Sequence, residues 1–223
     1  MTRLNKHIAR ILGISRREAD TLIESGQVKV DGQTAKLGEQ PDKSASITVA
    51  GKLLDQSSTA QYIALNKPVD YVCSRKQQGD SPTIYDLLPS ELQQLKTVGR
   101  LDRDSSGIIL LTNDGDFSHS MTHPSFSKVK IYELELDKPL EPLHQQMISD
   151  HGVQLDDGVS KFMIEKLDKK GYKITMKEGR NRQIRRTFGN LGYTVTKLHR
   201  IQFGNFSIES LGLEESKWMQ IDI

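Results

Sequence analysis

The 223-residue sequence predicts an α+β protein, and three patterns lead to that prediction. In the first 25 residues, apolar side chains recur at helical spacing, and Asp31-Gly32 then provides a hairpin signal. A short apolar run at 108–111 is bounded by turn residues, as in a buried strand. The second half of the stretch 130–136 alternates between polar and apolar residues, which indicates a half-buried strand.

Composition limits the classes of protein to which the chain can belong. Hydrophobic residues make up 35% and charged residues 27%, which suits a polar surface. No apolar run reaches membrane-spanning length and the N-terminus lacks a signal-peptide core, so a cytoplasmic protein without membrane contact is expected. Cys73 is the only cysteine, which excludes an internal disulfide. The histidines lack metal-ligand spacing, so no metal is expected.

The N-terminal stretch predicts two short helices followed by a small sheet. Four apolar residues at helical spacing predict the first helix, and these are Leu4, Ile8, Ile11 and Leu12. Gly13 ends that helix, and Ser15 with Glu18 forms a capping box for the second helix, which stops at Gly26. Alternating residues then predict strands around 28–30 and 47–49.

Four cations lie on the polar faces of these helices, namely Arg3, Lys6, Arg16 and Arg17. Positive charge at the start of the second helix opposes the helix dipole, and phosphate binding would compensate for that. The sequences RLNKHIA and SRREADTLIESGQVKVDG, within residues 2–52, resemble the S4 RNA-binding domain. The resemblance implies that these four cations bind RNA, and the alternative is an α+β module whose arginines only solvate a helix. Residues 54–60 indicate a linker, so domains are predicted at 1–58 and 59–223.

The central stretch of the chain is VGRLDRDSSGIILLTNDGD at 98–116. Asp102 stands just ahead of the turn at 105–107 and of the apolar run, where a rigid strand can hold a carboxylate in place. The alternative is that Asp102 only caps a turn, since aspartate is common in turns for that reason.

Three motifs resemble the RsuA-type family of ribosomal RNA pseudouridine synthases. They are GRLDxxSxG followed by LLTNDG, the opening motif YIALNKP, and EGRNRQIRRTFGNLG. Members of that family usually carry Thr at the position of Ser105 and often Met at the position of Thr187. The resemblance implies a catalytic domain with a mixed, largely antiparallel sheet flanked by helices. It also implies that Asp102 is the catalytic nucleophile.

Several further residues are predicted to contact the RNA. Tyr132 shares the apolar face of its strand, which an ordinary core tyrosine also does. The resemblance places Tyr132, after the basic residue Lys130, against the target base, where an aromatic ring can stack on an extruded uracil. Lys67 of the opening motif is predicted to bind RNA. Arg100 is predicted to fill the gap left by the extruded base, because guanidinium planes stack on bases.

A basic stretch near the C-terminus predicts a positioned polyanion site. Residues 176–200 carry seven Lys and Arg residues against Glu178 alone, in a domain whose total charge is balanced. Phosphate contacts are predicted for three arginines of this stretch, which are Arg180, Arg182 and Arg186.

Helical geometry separates Arg185 from its neighbours. With Ile184 and Phe188 on the buried face, Arg182 and Arg186 are predicted to face solvent and Arg185 to lie on the flank. The resemblance implies that Arg185 is the catalytic arginine that pairs with the nucleophile.

The resemblance implies that the protein isomerises specific uridines of ribosomal RNA to pseudouridine, with 23S rRNA expected and 16S rRNA or tRNA as alternatives. The reaction needs no redox change or phosphate transfer, so no cofactor is expected. Ribosomal RNA or a pre-ribosomal particle is the expected partner, and a monomer is expected. Two lower-ranked alternatives are a non-catalytic ribosome-assembly factor and a metal-dependent nuclease. The nuclease would use two Asp-x-Asp pairs, which are Asp102, Asp104, Asp114 and Asp116.

Overall fold

The computed structural model of the protein describes residues 2–42, 44–55, 59–76 and 78–223. The middle of the predicted linker and the predicted domain boundary at 58 lie outside the described residues. Within the described residues, the search for a helix long and apolar enough to cross a membrane finds none.

The N-terminal module has the predicted helices and sheet. Its elements are α1 (Leu4–Leu12), α2 (Arg16–Glu24), β1 (Val28–Val30), β2 (Gln33–Thr34), β3 (Ile47–Val49) and β4 (Lys52–Leu53). Gly13 adopts a left-handed conformation that ends α1, and the predicted capping box of Ser15 and Glu18 is confirmed. The sheet order is β2-β1-β3-β4, and Leu4, Ile8 and Ile47 belong to a core of the module's own.

The rest of the chain is built on one large sheet. The remaining strands are β5 (Tyr62–Lys67), β6 (Lys96–Val98), β7 (Ser106–Thr112), β8 (Lys130–Leu136), β9 (Val153–Leu155), β10 (Gly158–Ser160), β11 (Met163–Lys166), β12 (Gly171–Met176), β13 (Val195–Phe203), β14 (Phe206–Ser207) and β15 (Trp218–Gln220). The remaining α-helices are α3 (Gly115–Thr122), α4 (Pro142–Gln146), α5 (Gln183–Asn190) and α6 (Ile208–Leu211).

The strand order of the large sheet is β11-β12-β8-β13-β7-β5-β15. The β13–β7 pair is parallel, and the other pairs in this path are antiparallel. This arrangement confirms the prediction of a mixed, largely antiparallel sheet.

Strand β7 lies in the middle of the sheet and is buried along its whole length. Ile109 and Leu111 pack into the larger core on one face, whereas Ile108 and Leu110 pack into a second core on the other. Burial on both faces explains the continuous apolar run, because such strands do not alternate.

Three local patterns predict elements that differ from the structure, namely a turn at 66–68, a strand at 71–74 and a helix at 139–150 with Leu143 facing inward. Strand β5 continues through Lys67 where a turn was expected, and the strand expected at 71–74 is only a single bridge between Val72 and Thr83. The helix expected from 139 begins only at Pro142, because the residue before a proline avoids the helical conformation. Leu143 is 64% exposed although it was expected to face inward.

Gly107 permits the close approach of β7 and β13. Its φ is +108°, and a Cβ there would lie 2.2 Å from the carbonyl oxygen of Arg200 and 2.5 Å from its amide nitrogen. Since both atoms belong to backbone, no side-chain rotation can relieve the clash.

Gly107→Ala should therefore destabilise the protein by at least about 2 kcal/mol, from overlap and backbone strain together. Gly189→Ala is the matched control, because that glycine lies in α5 with no atom within 4 Å of the added Cβ. The control should stabilise by about 0.5–1 kcal/mol. Urea unfolding of the three proteins checks this, and equal stabilities would contradict the close-approach argument.

Candidate active site

A cleft of about 510 Å³ lies where the loop before β7, strand β8 and the start of α5 come together. Asp102, Tyr132 and Arg185 all line it, so the structure brings the three predicted catalytic residues to one place. Arg100, Lys130, Arg180 and Arg182 also line the cleft. Such a concentration of cations suits a polyanionic ligand.

The loop that carries Asp102 is held by a buried ammonium. Lys67 is fully buried, and its Nζ donates to the carbonyl oxygens of Pro68 at 2.9 Å, Asp102 at 3.1 Å and Ser105 at 2.6 Å. Burial lowers the pKa of Lys67, and Cys73 opposes that shift most strongly. The predicted contact of Lys67 with RNA is wrong, because β5 extends through this residue and directs its side chain under the loop.

Asp104 connects this loop to the basic stretch. Arg182 donates to it in a bidentate pair, with Nη1 3.0 Å from Oδ1 and Nη2 2.9 Å from Oδ2. Arg185 Nε lies 3.2 Å from Asp104 Oδ2, and Arg185 Nη2 donates to the Asp104 carbonyl at 2.7 Å. The hydrogen bonds from Arg182, and then the charges of Arg185 and Arg182, lower the pKa of Asp104.

The predicted direct pairing of Arg185 with Asp102 is therefore wrong. Arg185 pairs with Asp104 and with the Val195 carbonyl, at 2.6 Å. The cation next to Asp102 is Arg182, whose Nη1 lies 3.5 Å from Asp102 Oδ2. Helical geometry did not predict this, because α5 begins at Gln183 and Arg182 precedes it with φ +45°.

Arg180 and Arg186 share one carboxylate away from Asp102. Arg180 Nη1 donates to Asp157 Oδ1 at 2.9 Å, and Arg186 Nη2 donates to Asp157 Oδ2 at 2.7 Å. Arg180 also donates to the Val159 carbonyl at 2.8 Å. Arg186 therefore attaches the β9–β10 hairpin to α5, and Arg180 attaches it to the loop before that helix. Their predicted phosphate contacts remain predictions, and such contacts would have to compete with these bonds.

Strand β8 positions the remaining predicted residues of the cleft. Tyr132 is 8% exposed and belongs to the larger core while it lines the cleft. Arg200 is its cross-strand neighbour on β13. The sequence places Arg200 in the basic stretch but assigns it no role, since only the register of β8 and β13 brings it to the cleft.

The cations of the N-terminal module differ in their surroundings. Lys6 forms an ion pair with Asp116 of α3, and Arg16 Nη2 lies 3.4 Å from Asn5 Oδ1. Arg3 and Arg17 are exposed. Arg3, Arg16 and Arg17 are thus accessible to a ligand, whereas Lys6 already has an acidic partner.

The two Asp-x-Asp pairs do not form one site. Asp114 caps α3 by accepting from the amides of Asp116 and Phe117, and it also accepts a hydrogen bond from Tyr62. Among the described residues, no group of three or more His, Cys, Asp and Glu side chains is arranged to hold a metal.

Lys67→Met should lower the free energy of unfolding by about 2–4 kcal/mol, because it leaves several buried carbonyls without a donor. The slope of RNA affinity against salt should stay unchanged, since Lys67 is too deep to contact a phosphate. The control is Arg100→Met, which removes an exposed cleft cation and should change the slope while shifting stability by less than about 0.5 kcal/mol. A reduced salt slope in Lys67→Met would contradict this assignment.

Comparison with known proteins agrees with the geometry. Residues 61–190 match the RNA pseudouridylate synthase family, and residues 2–47 match the S4 domain. The ribosomal large subunit pseudouridine synthase B of Escherichia coli K12 is 32% identical over 99% of this chain and 79% of its own. The ribosomal small subunit pseudouridine synthase A of Pasteurella multocida is 35% identical over 93% of this chain and 90% of its own. A crystal structure of a pseudouridylate synthase, 32% identical, superimposes with a TM-score of 0.70 over 100% of this chain and 96% of that one. The chain has an S4 domain ahead of a domain built on the large sheet, in which residues 102–105 form an acidic loop with Asp102 and Asp104. It therefore belongs to the RNA pseudouridylate synthase family.

Proposed function

We propose that this protein isomerises a uridine of ribosomal RNA to pseudouridine, with Asp102 as the nucleophile. The observation that carries the proposal is the placement of Asp102, whose side chain is 36% exposed at the cleft while its loop is held from below by Lys67. An accessible carboxylate on an anchored loop, in the same cleft as Tyr132, suits attack on an extruded nucleotide. Family membership and the names of the relatives support the same reaction.

The reaction breaks the N-glycosidic bond, rotates the uracil and rejoins it to the ribose through C5, so that no atom is gained or lost overall. Asp102 acts on the extruded nucleotide, and Tyr132 supplies a ring against the base. Arg182, at 3.5 Å, orients the Asp102 carboxylate. Arg100 is exposed at the cleft and can occupy the place that the base leaves in the stack.

The proposed substrate is 23S rRNA of the large subunit. The E. coli relative that is named for the large subunit matches 99% of this chain. The small-subunit relative from P. multocida makes 16S rRNA the alternative substrate. The S4 domain, with Arg3, Arg16 and Arg17 exposed, contributes phosphate contacts on either RNA.

Asp102→Asn should abolish pseudouridine formation and leave RNA affinity within about twofold, because amide and carboxylate are isosteric and only the nucleophile is lost. Pseudouridines are mapped in 23S rRNA, 16S rRNA and tRNA treated with wild-type or variant protein. A modified position in 23S rRNA alone is expected.

Each alternative gives its own result in this assay. RNA binding without pseudouridine from the wild type identifies an assembly factor. RNA cleavage that stops in excess chelator and returns with Mg²⁺ identifies a nuclease. Near-wild-type turnover by Asp102→Asn rejects the nucleophile assignment.

The effect on kcat of replacing an arginine of the basic stretch should depend on the residue with which that arginine pairs. Arg182→Ala and Arg185→Ala should each lower kcat by at least about tenfold, because each removes a contact that holds the acidic loop. Arg185→Lys should recover only part of the rate, since an ammonium cannot reproduce the planar guanidinium that donates to the Val195 and Asp104 carbonyls from two nitrogens. Arg186→Ala is the matched control from the same helix and should keep kcat within about threefold, since its partner is Asp157. Equal losses of kcat in all three alanine variants would mean that the stretch acts as one undivided basic patch.

A further inference from the structure

Arg200 is a buried cation of the cleft that the proposed mechanism does not use. Only 2% of its surface is exposed, yet it lines the cleft that contains Asp102. Its Nε donates to the Ile108 carbonyl at 2.9 Å, and its guanidinium lies over the Phe203 ring at 4.7 Å from the centroid. Burial of a charge costs several kcal/mol unless an opposite charge or strong hydrogen bonds compensate.

That compensation is incomplete within the chain. In the part of the chain that the structure describes, no carboxylate forms an ion pair with Arg200, and its Nη2 is buried without a hydrogen-bond partner. The carboxylates of the acidic loop are paired with Arg182 and Arg185 instead. The Nη2 of Arg200 is thus left for an acceptor from outside the chain.

Lys130 brings a second cation to the same ring. Its Nζ lies 5.4 Å from the Phe203 centroid, and the register of β8 and β13 places Lys130 opposite Phe203. Burial, and then the charge of Arg200, lower the pKa of Lys130. Two cations on one aromatic ring repel each other, and an anion shared between them removes that repulsion.

The backbone keeps Arg200 in a defined place. Gly107 and Arg200 are partners in the parallel β7–β13 pair, at the close approach described above. With its Nε bonded to Ile108 of the same β7 strand, Arg200 has little freedom to move away. A donor fixed in this way favours one ligand position, as preorganised sites do.

We propose that Arg200 and Lys130, packed on Phe203, bind a backbone phosphate next to the extruded uridine. A phosphodiester offers the oxygen acceptors and the negative charge that the terminal nitrogens of arginine and the ammonium of lysine require. The bound phosphate places the ribose of the flipped nucleotide relative to Asp102, so Arg200 is a positioning residue. This inference rests on the proposed function. It adds that Arg200 and Lys130 bind a phosphate of the RNA substrate.

The test replaces single phosphates of the RNA with uncharged methylphosphonates. The RNA is a fragment around the uridine mapped above, with the replacement on its 5′ or its 3′ side. At one of these positions, wild-type kcat/KM should fall by about tenfold or more. Arg200→Gln should show a similar loss on unmodified RNA and no further loss at that position, because the two changes remove the same contact. If the loss of kcat/KM caused by Arg200→Gln multiplies with the methylphosphonate loss at both the 5′ and the 3′ position, the proposal is overturned.

Two further variants separate binding from damage to the fold. Lys130→Gln should behave as Arg200→Gln does, and it serves if Arg200→Gln does not fold. Arg200→Lys should recover part of kcat/KM on unmodified RNA. Lys177→Gln removes an exposed cation that also lines the cleft, and its loss should multiply with the methylphosphonate loss. If Arg200→Gln lowers the melting temperature and reduces kcat/KM by the same factor on every RNA, the role of Arg200 is structural. That result also overturns the proposal.

A binding measurement keeps this test independent of catalysis. Oligouridylate, and the same strand with one central methylphosphonate, are titrated against wild type and Arg200→Gln. Wild type should prefer the charged strand, and the variant should lose that preference. If the proposed function is wrong, the wild-type protein forms no pseudouridine. The difference in affinity between the charged and the methylphosphonate strand still decides for or against the phosphate site.

Discussion

The buried ammonium of Lys67 is the interaction on which the site depends. A loop that lies over a sheet has carbonyl groups that point inward, and these need donors where water cannot reach. Lys67 supplies three N–H groups from one position, and it bonds carbonyls on both sides of the loop that carries Asp102. Its own charge is tolerated because the carbonyl dipoles of Pro68, Asp102 and Ser105 converge on it. The loop that carries the Asp102 carboxylate is thus tied to strand β5 of the sheet through Lys67.

The second level of organisation is the charge network on the other side of the loop. Asp104 joins Arg182 and Arg185 to the loop, so the start of α5 and the acidic turn hold each other in place. This arrangement differs from the direct pair of Asp102 and Arg185 that the sequence predicted. Arg185 contacts the acidic loop only at Asp104 and also donates to the Val195 carbonyl. Arg182 is the cation that lies next to Asp102. Both contacts are partly exposed, so their value lies more in orientation than in stability.

Close packing of the sheet brings the two sides together. The parallel pair of β7 and β13 needs a residue without a side chain at Gly107, and the pairing of β13 with β8 on its other edge brings Arg200 beside Tyr132. The basic stretch thereby divides into groups with different partners. Arg180 and Arg186 hold the β9–β10 hairpin through Asp157, Arg182 and Arg185 hold the acidic loop, and Arg200 faces the cleft from the neighbouring strand.

The sequence by itself determined the elements whose signals are local. The capping box at Ser15, the buried strand after Asp102 and the alternation that places Tyr132 on the apolar face follow from the periodicity of helices and strands, and the structure has them all. The family resemblance, carried by contiguous motifs, was also available from sequence. Only the tertiary structure decided the partners of the charged side chains. Lys67 is buried because β5 continues through the turn-like sequence Asn66-Lys67, and Arg182 meets Asp102 because α5 begins only at Gln183 and leaves Arg182 outside the helix. A charge has no periodicity, and its partner is set by strand register and helix ends that depend on residues far away in the chain.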